Sequence, residues 1–187
     1  MNFKRLLPVL ALVVSVAASC SETATTPFDA PQFDLTQLAV ADGQLSLVTY
    51  ADSVKESWAY AEVDQKGGRV FDDKNGNEIK IMRGAVTEPT WFLMHTLPGD
   101  KMIVDLTAWR RINDEWVQVH EFSHESIKLR LSYARSGVKQ PNRLKVVYVP
   151  SIDDLTTFEP LYTEIYKTEK QAQGKLSHFS IYSMAID

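Results

Sequence analysis

Residues 127–149 read IKLRLSYARSGVKQPNRLKVVYV, and this stretch decides the fold. Ile127, Leu129, Leu131 and Tyr133 alternate with Lys128, Arg130 and Ser132, the period of two that turns one face of a strand to a core and the other to water. The turn formers Ser136-Gly137 and Pro141-Asn142 come next, and Leu144 to Val149 then runs as a second, β-branched and aromatic strand.

The pattern repeats on both sides. Ile79 and Ile81 flank Lys80, Trp91 and Leu93 alternate with Phe92 and Met94, and residues 103–109 and 116–122 are further short apolar stretches. Turn signals separate them at Asn75-Gly76, Pro98-Gly99-Asp100, Asn113-Asp114, Pro150-Ser151 and Gln173-Gly174. Residues 167–175 read as a charged, solvated loop, and residues 176–186 as one terminal strand. Short strands with regularly spaced turns predict an all-β, two-sheet antiparallel β-sandwich over residues 61–187. Residues 35–60 carry no motif and predict an irregular lead-in, with 35–41 and 51–61 ambiguous between helix and strand.

The start of the chain has a different composition. Lys4 and Arg5 precede a mostly apolar run over residues 6–18, interrupted by Pro8, and Ala17-Ala18-Ser19 leads to Cys20, the only cysteine. This run is too short to cross a bilayer, which needs about 20 apolar residues. It reads as a bacterial lipoprotein signal over residues 1–19, with Cys20 becoming the lipidated first residue. Ser21 after that cysteine points to the outer membrane of the cell envelope. Residues 21–34, SETATTPFDAPQFD, predict with Cys20 a disordered tether over 20–34 that reaches roughly 45 Å when extended.

The whole chain has 20 basic and 24 acidic residues. Residues 1–19 hold Lys4 and Arg5 and no acid, so without them 18 bases face 24 acids and the net charge is −6. That balance argues against nucleic acid, which needs a basic surface to grip phosphate. The one thiol is committed to lipid, so disulfides do not brace the fold.

Several residues together carry a resemblance. Gly67-Gly68, Ile79 to Ile81, Gly84-Ala85-Val86, Thr90-Trp91-Phe92, Leu131-Ser132-Tyr133-Ala134 and His178-Phe179-Ser180 with Tyr182, Met184 and Ala185 resemble the zona-occludens/uncoordinated-receptor, or ZU-five, β-sandwich, in its bacterial lipoprotein version. The match covers residues 61–187, with Met82 standing where the family usually has proline. The resemblance implies a non-enzymatic interaction module. The glycines support it physically, since they permit positive φ and close backbone approach.

Four patterns carry possible chemistry. In some members of the ZU-five family a His-Phe-Ser site cuts itself, which here would make Ser180 the nucleophile on the Phe179 carbonyl and His178 its base. The competing reading is an ordinary strand. His120-Glu121-Phe122-Ser123-His124 spells the zinc-protease pattern, which needs a helix to bring both histidines to one face; flanking strands argue against that, and Glu159 is the only third ligand to suggest. Residues 72–78, DDKNGNE, hold oxygen ligands suited to calcium but span half a calcium loop, and Asn75-Gly76 favours a solvated hairpin turn. Finally, the four tryptophans with Tyr148, Tyr162, Tyr166 and Tyr182 offer a stacking platform for sugars, although aromatic residues in strands are more often core, with at most one expected to be exposed for function. The expectation is a lipid-anchored envelope binding or structural module, with no catalytic residues, metal or cofactor, held to the membrane through Cys20 and facing a protein or envelope-polymer partner.

Overall fold

The computed structural model describes residues 45–120, 122 and 126–187. Among them are fifteen strands, one 3-10 turn at Pro141–Arg143 and no α-helix. The strands are β1 Ser46–Leu47, β2 Thr49–Val54, β3 Ser57–Val63, β4 Gly68–Asp72, β5 Asn77–Ile81, β6 Thr90–Leu97, β7 Gly99–Lys101, β8 Ile103–Ile112, β9 Glu115–Gln118, β10 Ile127–Ser132, β11 Leu144–Val149, β12 Glu159–Pro160, β13 Thr163–Tyr166, β14 Gln171–Leu176 and β15 Ile181–Ile186.

The larger sheet runs β12-β11-β15-β8-β6-β3, with β1 added to β15 and β9 to β8; the smaller runs β13-β14-β10-β5-β4, and β2 and β7 form a separate ribbon. Every pairing is antiparallel. Alternation explains how the sheets meet. Ile79 and Ile81 of β5 and Ile127, Leu129 and Leu131 of β10 share one core with Phe92 and Met94 of β6, Val104, Leu106 and Ala108 of β8, and Tyr182 and Met184 of β15. Burial of each Val, Leu, Ile, Phe or Met side chain among them stabilises the sandwich by roughly 1.5–3 kcal/mol. A second apolar cluster covers the outer face of the larger sheet at its β11/β15 end, where Leu155 packs on Leu47, Leu97, Ile103, Val147, Val149 and Ala185.

Three expectations need correcting. The sandwich begins before residue 61: β1, β2 and β3 occupy 46–63, most of the stretch read as an irregular lead-in. Ser57, Ala59 and Val63 of β3 are buried, but small side chains give a faint hydrophobic period, which hid the strand. Residues 1–44, including the signal, Cys20, the tether and 35–41, lie outside the described residues.

Residues 176–186 are not one strand. Leu176 ends β14 in the smaller sheet and Ile181 opens β15 in the larger, so residues 177–180 carry the chain from one sheet to the other. The residues turned to the core are Leu176, Phe179 and Tyr182, three apart, whereas an uninterrupted strand would have turned His178 and Ser180 inward.

Gly174 marks no turn, and the loop read over 167–175 ends where β14 begins at Gln171. A Cβ at 174 would come within 3.0 Å of Val146 on the facing sheet and 3.2 Å of Leu161, so glycine stands where the facing sheet leaves little room for a side chain. Gly67 matches its expected role. Its φ is +80° and a Cβ there would lie 2.6 Å from the Ile81 carbonyl oxygen. Gly84 needs only its positive φ, since nothing stands within 4 Å of the missing Cβ.

Candidate functional site

The register of four neighbouring strands gathers the tryptophans. Trp58 of β3 pairs with His95 of β6, Glu62 with Trp91, Trp91 with Trp109 of β8, and Arg111 with Trp116 of β9. Directly opposed residues point to the same side of a sheet, as do residues two apart in one strand. All four tryptophans, with Tyr60, therefore share the outer face of the larger sheet, away from Phe92, Met94, Leu106 and Ala108. The β8–β9 hairpin that presents Trp116 turns through Asn113 and Asp114 at φ of 51° and 68°, values that suit a tight two-residue hairpin turn.

These rings are substantially open to solvent: Tyr60 is 64% exposed, Trp58 43% and Trp116 40%. Trp58 stacks on His95 with centroids 3.8 Å apart and planes 8° from parallel, and Tyr60 leans toward Trp91 at 6.1 Å. Between Trp91 and Trp116 runs an open groove of about 460 Å³, also lined by Glu62, Glu88, Pro89 and Arg111. Arg110 lies 3.6 Å from Glu88, and Arg111 bridges Asp114 at 3.2 Å.

The same face holds polar groups the protein only partly satisfies. His95 Nε2 lies 3.1 Å from Glu56, but His95 Nδ1 and Trp109 Nε1 are buried without a hydrogen-bond partner, the two such side-chain atoms among the described residues. Burial pushes the Asp105 carboxyl above its ordinary value, against the opposing pull of His95 and the Leu106 N–H. Of the aromatics named from the sequence, of which at most one was expected to be exposed for function, Trp58, Trp116 and Tyr162 are exposed. Trp58, Tyr60 and Glu62 occupy alternate positions, and that period would have placed them together once β3 was read as a strand. Of the named tyrosines, Tyr162 is exposed, while Tyr166 is half-buried with Arg130 4.7 Å above its ring.

His178, Phe179 and Ser180 sit at the crossing between sheets. Phe179 is buried among Phe92 at 5.4 Å and Phe122 at 4.8 Å, its N–H donates to the His120 carbonyl, and Ser180's carbonyl accepts from the Leu106 N–H. His178 meets Tyr148 edge-on at 4.7 Å, and its Nδ1 lies 3.1 Å from the Ser177 hydroxyl. Tyr182, whose phenol burial pushes up in pKa, donates to the His178 carbonyl at 2.7 Å. Among the described residues no hydrogen bond links His178 to Ser180.

The other two patterns resolve differently. His120 follows β9 by two residues; Glu121 and His124 lie outside the described residues, so the pair of histidines has no geometry to report. Among the described residues no three His, Cys, Asp or Glu side chains come together as metal ligands. Residues 72–78 do form a hairpin between β4 and β5, but only part of it is solvated: Asp73 and Lys74 are exposed, whereas Asp72, Asn75 and Asn77 are buried. Asp72 Oδ2 accepts from Ser57 at 2.7 Å, Thr96 at 2.8 Å and Asn75 Nδ2 at 2.9 Å, and its Oδ1 accepts from the N–H groups of Lys74 and Asn75. The side-chain oxygens of Asp72, Asn75 and Asn77, suited to calcium by type, are here taken up by internal donors.

No protein-family model matches this chain, and no curated protein is recognisably similar to it.

Proposed function

We propose that this is a lipid-anchored binding module of the cell envelope, of ZU-five type and without catalytic activity, held to the outer membrane through Cys20. Its docking surface is the outer aromatic face of the larger sheet. The observation that carries this reading is the placement of all four tryptophans on that one face, with Trp58, Tyr60 and Trp116 open to solvent. Large exposed aromatic surface on a folded domain marks an interaction site more often than chance does. The test is a photo-crosslinking residue at Tyr60 in the full chain in intact cells, with Arg69 on exposed β4 as control. The expected result is an envelope adduct from position 60 that falls at least about fivefold with Trp58→Ala plus Trp116→Ala, as for loss of two aromatic hot spots. Equal adducts from both positions, or none, would overturn the reading.

One observation favours a second reading, self-cleavage between Phe179 and Ser180. The bond lies in the link between two sheets, so cutting it would leave β15 still paired with β1, β8 and β11. The engagement of His178 Nδ1 with Ser177 points the other way. The denatured mass of the full chain decides between them. A non-catalytic module gives one uncut carboxyl end, whereas loss of the octapeptide 180–187, prevented by Ser180→Ala, would establish cutting.

A further inference from the structure

We infer that the aromatic face takes a glycan, a chain of uncharged pyranose rings laid across the groove between Trp91 and Trp116; this rests on the docking reading above and names its ligand. A groove of about 460 Å³ is the size of a small-molecule site, enough for a sugar ring or two. It is open rather than enclosed, so a longer chain can leave at both ends.

Chemistry narrows the occupant. The π face of an indole is electron-rich and attracts polarised C–H groups, which a pyranose presents from its flat side. Around its rim the same ring carries hydroxyls, each both donor and acceptor. The groove offers both counterparts: the carboxylates of Glu62 and Glu88 accept, and the Arg111 guanidinium donates. Glu88 lies 3.6 Å from Arg110 and Arg111 3.2 Å from Asp114, both surface pairs that a ligand hydroxyl can exchange at little cost.

Rival occupants fit less well. The centre of a protein–protein interface is depleted of glutamate, yet Glu62 and Glu88 both stand in the groove itself. A polyanion or acidic lipid surface would meet two carboxylates, Glu62 and Glu88, against the one guanidinium of Arg111 in the lining, and like charges repel.

The experiment uses the full chain purified in detergent. Tryptophan fluorescence and calorimetry are run against glucans, xylans, mannans, galactans and chitooligosaccharides, with polygalacturonate and phosphatidylglycerol vesicles alongside. At least one uncharged glycan is expected to bind and to perturb the fluorescence. Trp116→Ala should weaken it by about tenfold or more, the scale of one aromatic hot spot, and Trp116→Phe should restore most of the affinity. Glu62→Gln supplies a variant that leaves the rings intact and should weaken binding too, and circular dichroism confirms that each variant is folded. Binding to no uncharged glycan, binding indifferent to both positions, or binding only to polygalacturonate or vesicles overturns the inference. A face-dependent cross-link to a protein, with no glycan bound, removes the glycan and leaves the docking surface standing. Absence of both removes both.

Discussion

Asp72→Ala is expected to destabilise the fold by about 3–5 kcal/mol, the scale of losing two or three buried hydrogen bonds to a charged acceptor. Asp72 is 1% exposed and is the hub of a polar cluster that spans the two sheets. Ser57 on β3 and Thr96 on β6 reach it from the larger sheet, while Asn75 and the N–H groups of Lys74 and Asn75 reach it from the β4–β5 hairpin. The cluster extends outward. Asn75 is bound by the Lys55 N–H and by Arg135, and Asn77 by the Ser132 N–H on β10. Alanine at 72 would leave several buried donors without an acceptor, and each unmade bond costs about 1–3 kcal/mol in desolvation. Urea unfolding followed by tryptophan fluorescence measures the loss; a change below about 1 kcal/mol would show that the cluster is wet or dispensable.

The same carboxylate makes a pH prediction. Burial alone would raise its pKa, but the hydrogen bonds from Ser57, Asn75 and Thr96 outweigh that and hold it below the ordinary value. A carboxylate depressed in the folded state contributes stability that is complete above its unfolded pKa, near 4, and is lost as pH falls through the lower folded value. Wild-type stability should therefore be flat with respect to this group above about pH 5 and fall on acidification. Asp72→Asn should be less stable at neutral pH and should show a shallower acid limb. Parallel acid limbs in the two proteins would assign the acid sensitivity to another group.

How much of this was legible depends on whether side-chain chemistry or chain path was at stake. The all-β sandwich follows from alternation: Leu129 and Leu131 lie in the core because Lys128 and Arg130 cannot, and hydrophobic period reports that directly. Asn75-Gly76 announced its hairpin for the same local reason, with Gly76 at φ +77°. What period does not report is pairing across the chain. The polar residues of 72–78 resemble a solvated turn until β3 and β6 are laid over them, and then Asp72, Asn75 and Asn77 are interior while Asp73 and Lys74 stay exposed. The aromatic face was hidden in the same way. Trp58, Trp91, Trp109 and Trp116 lie on four strands, and only register decides that they share a side. Gly174 shows the converse failure, a turn-type residue in mid-strand because the facing sheet leaves no room for a side chain.

Phe179→Ala is the second large effect expected, a loss of about 3–5 kcal/mol of stability, as for truncation of other buried phenylalanines. Phe179 is 7% exposed and makes an edge-on contact with Phe92, which belongs to the larger sheet, while Phe122 packs on both rings. It is the residue that anchors the crossing of 177–180 between β14 and β15, and its N–H bond to His120 ties that crossing to the segment after β9. A cavity here would loosen the entry of β15, a strand hydrogen-bonded on both sides within the larger sheet. The discriminating comparison is with its neighbours. If the His-Phe-Ser segment serves packing, stability should follow apolar volume: Phe179→Leu mild, Phe179→Ala severe, and His178→Ala and Ser180→Ala each within about 1 kcal/mol of wild type. If the segment is a processing site, the order reverses in a different observable, because Ser180→Ala then alters the mass of the product while leaving the fold intact. Measuring unfolding and denatured mass on the same four variants separates an anchor from a nucleophile, since the first role is carried by the ring of Phe179 and the second by the hydroxyl beside it.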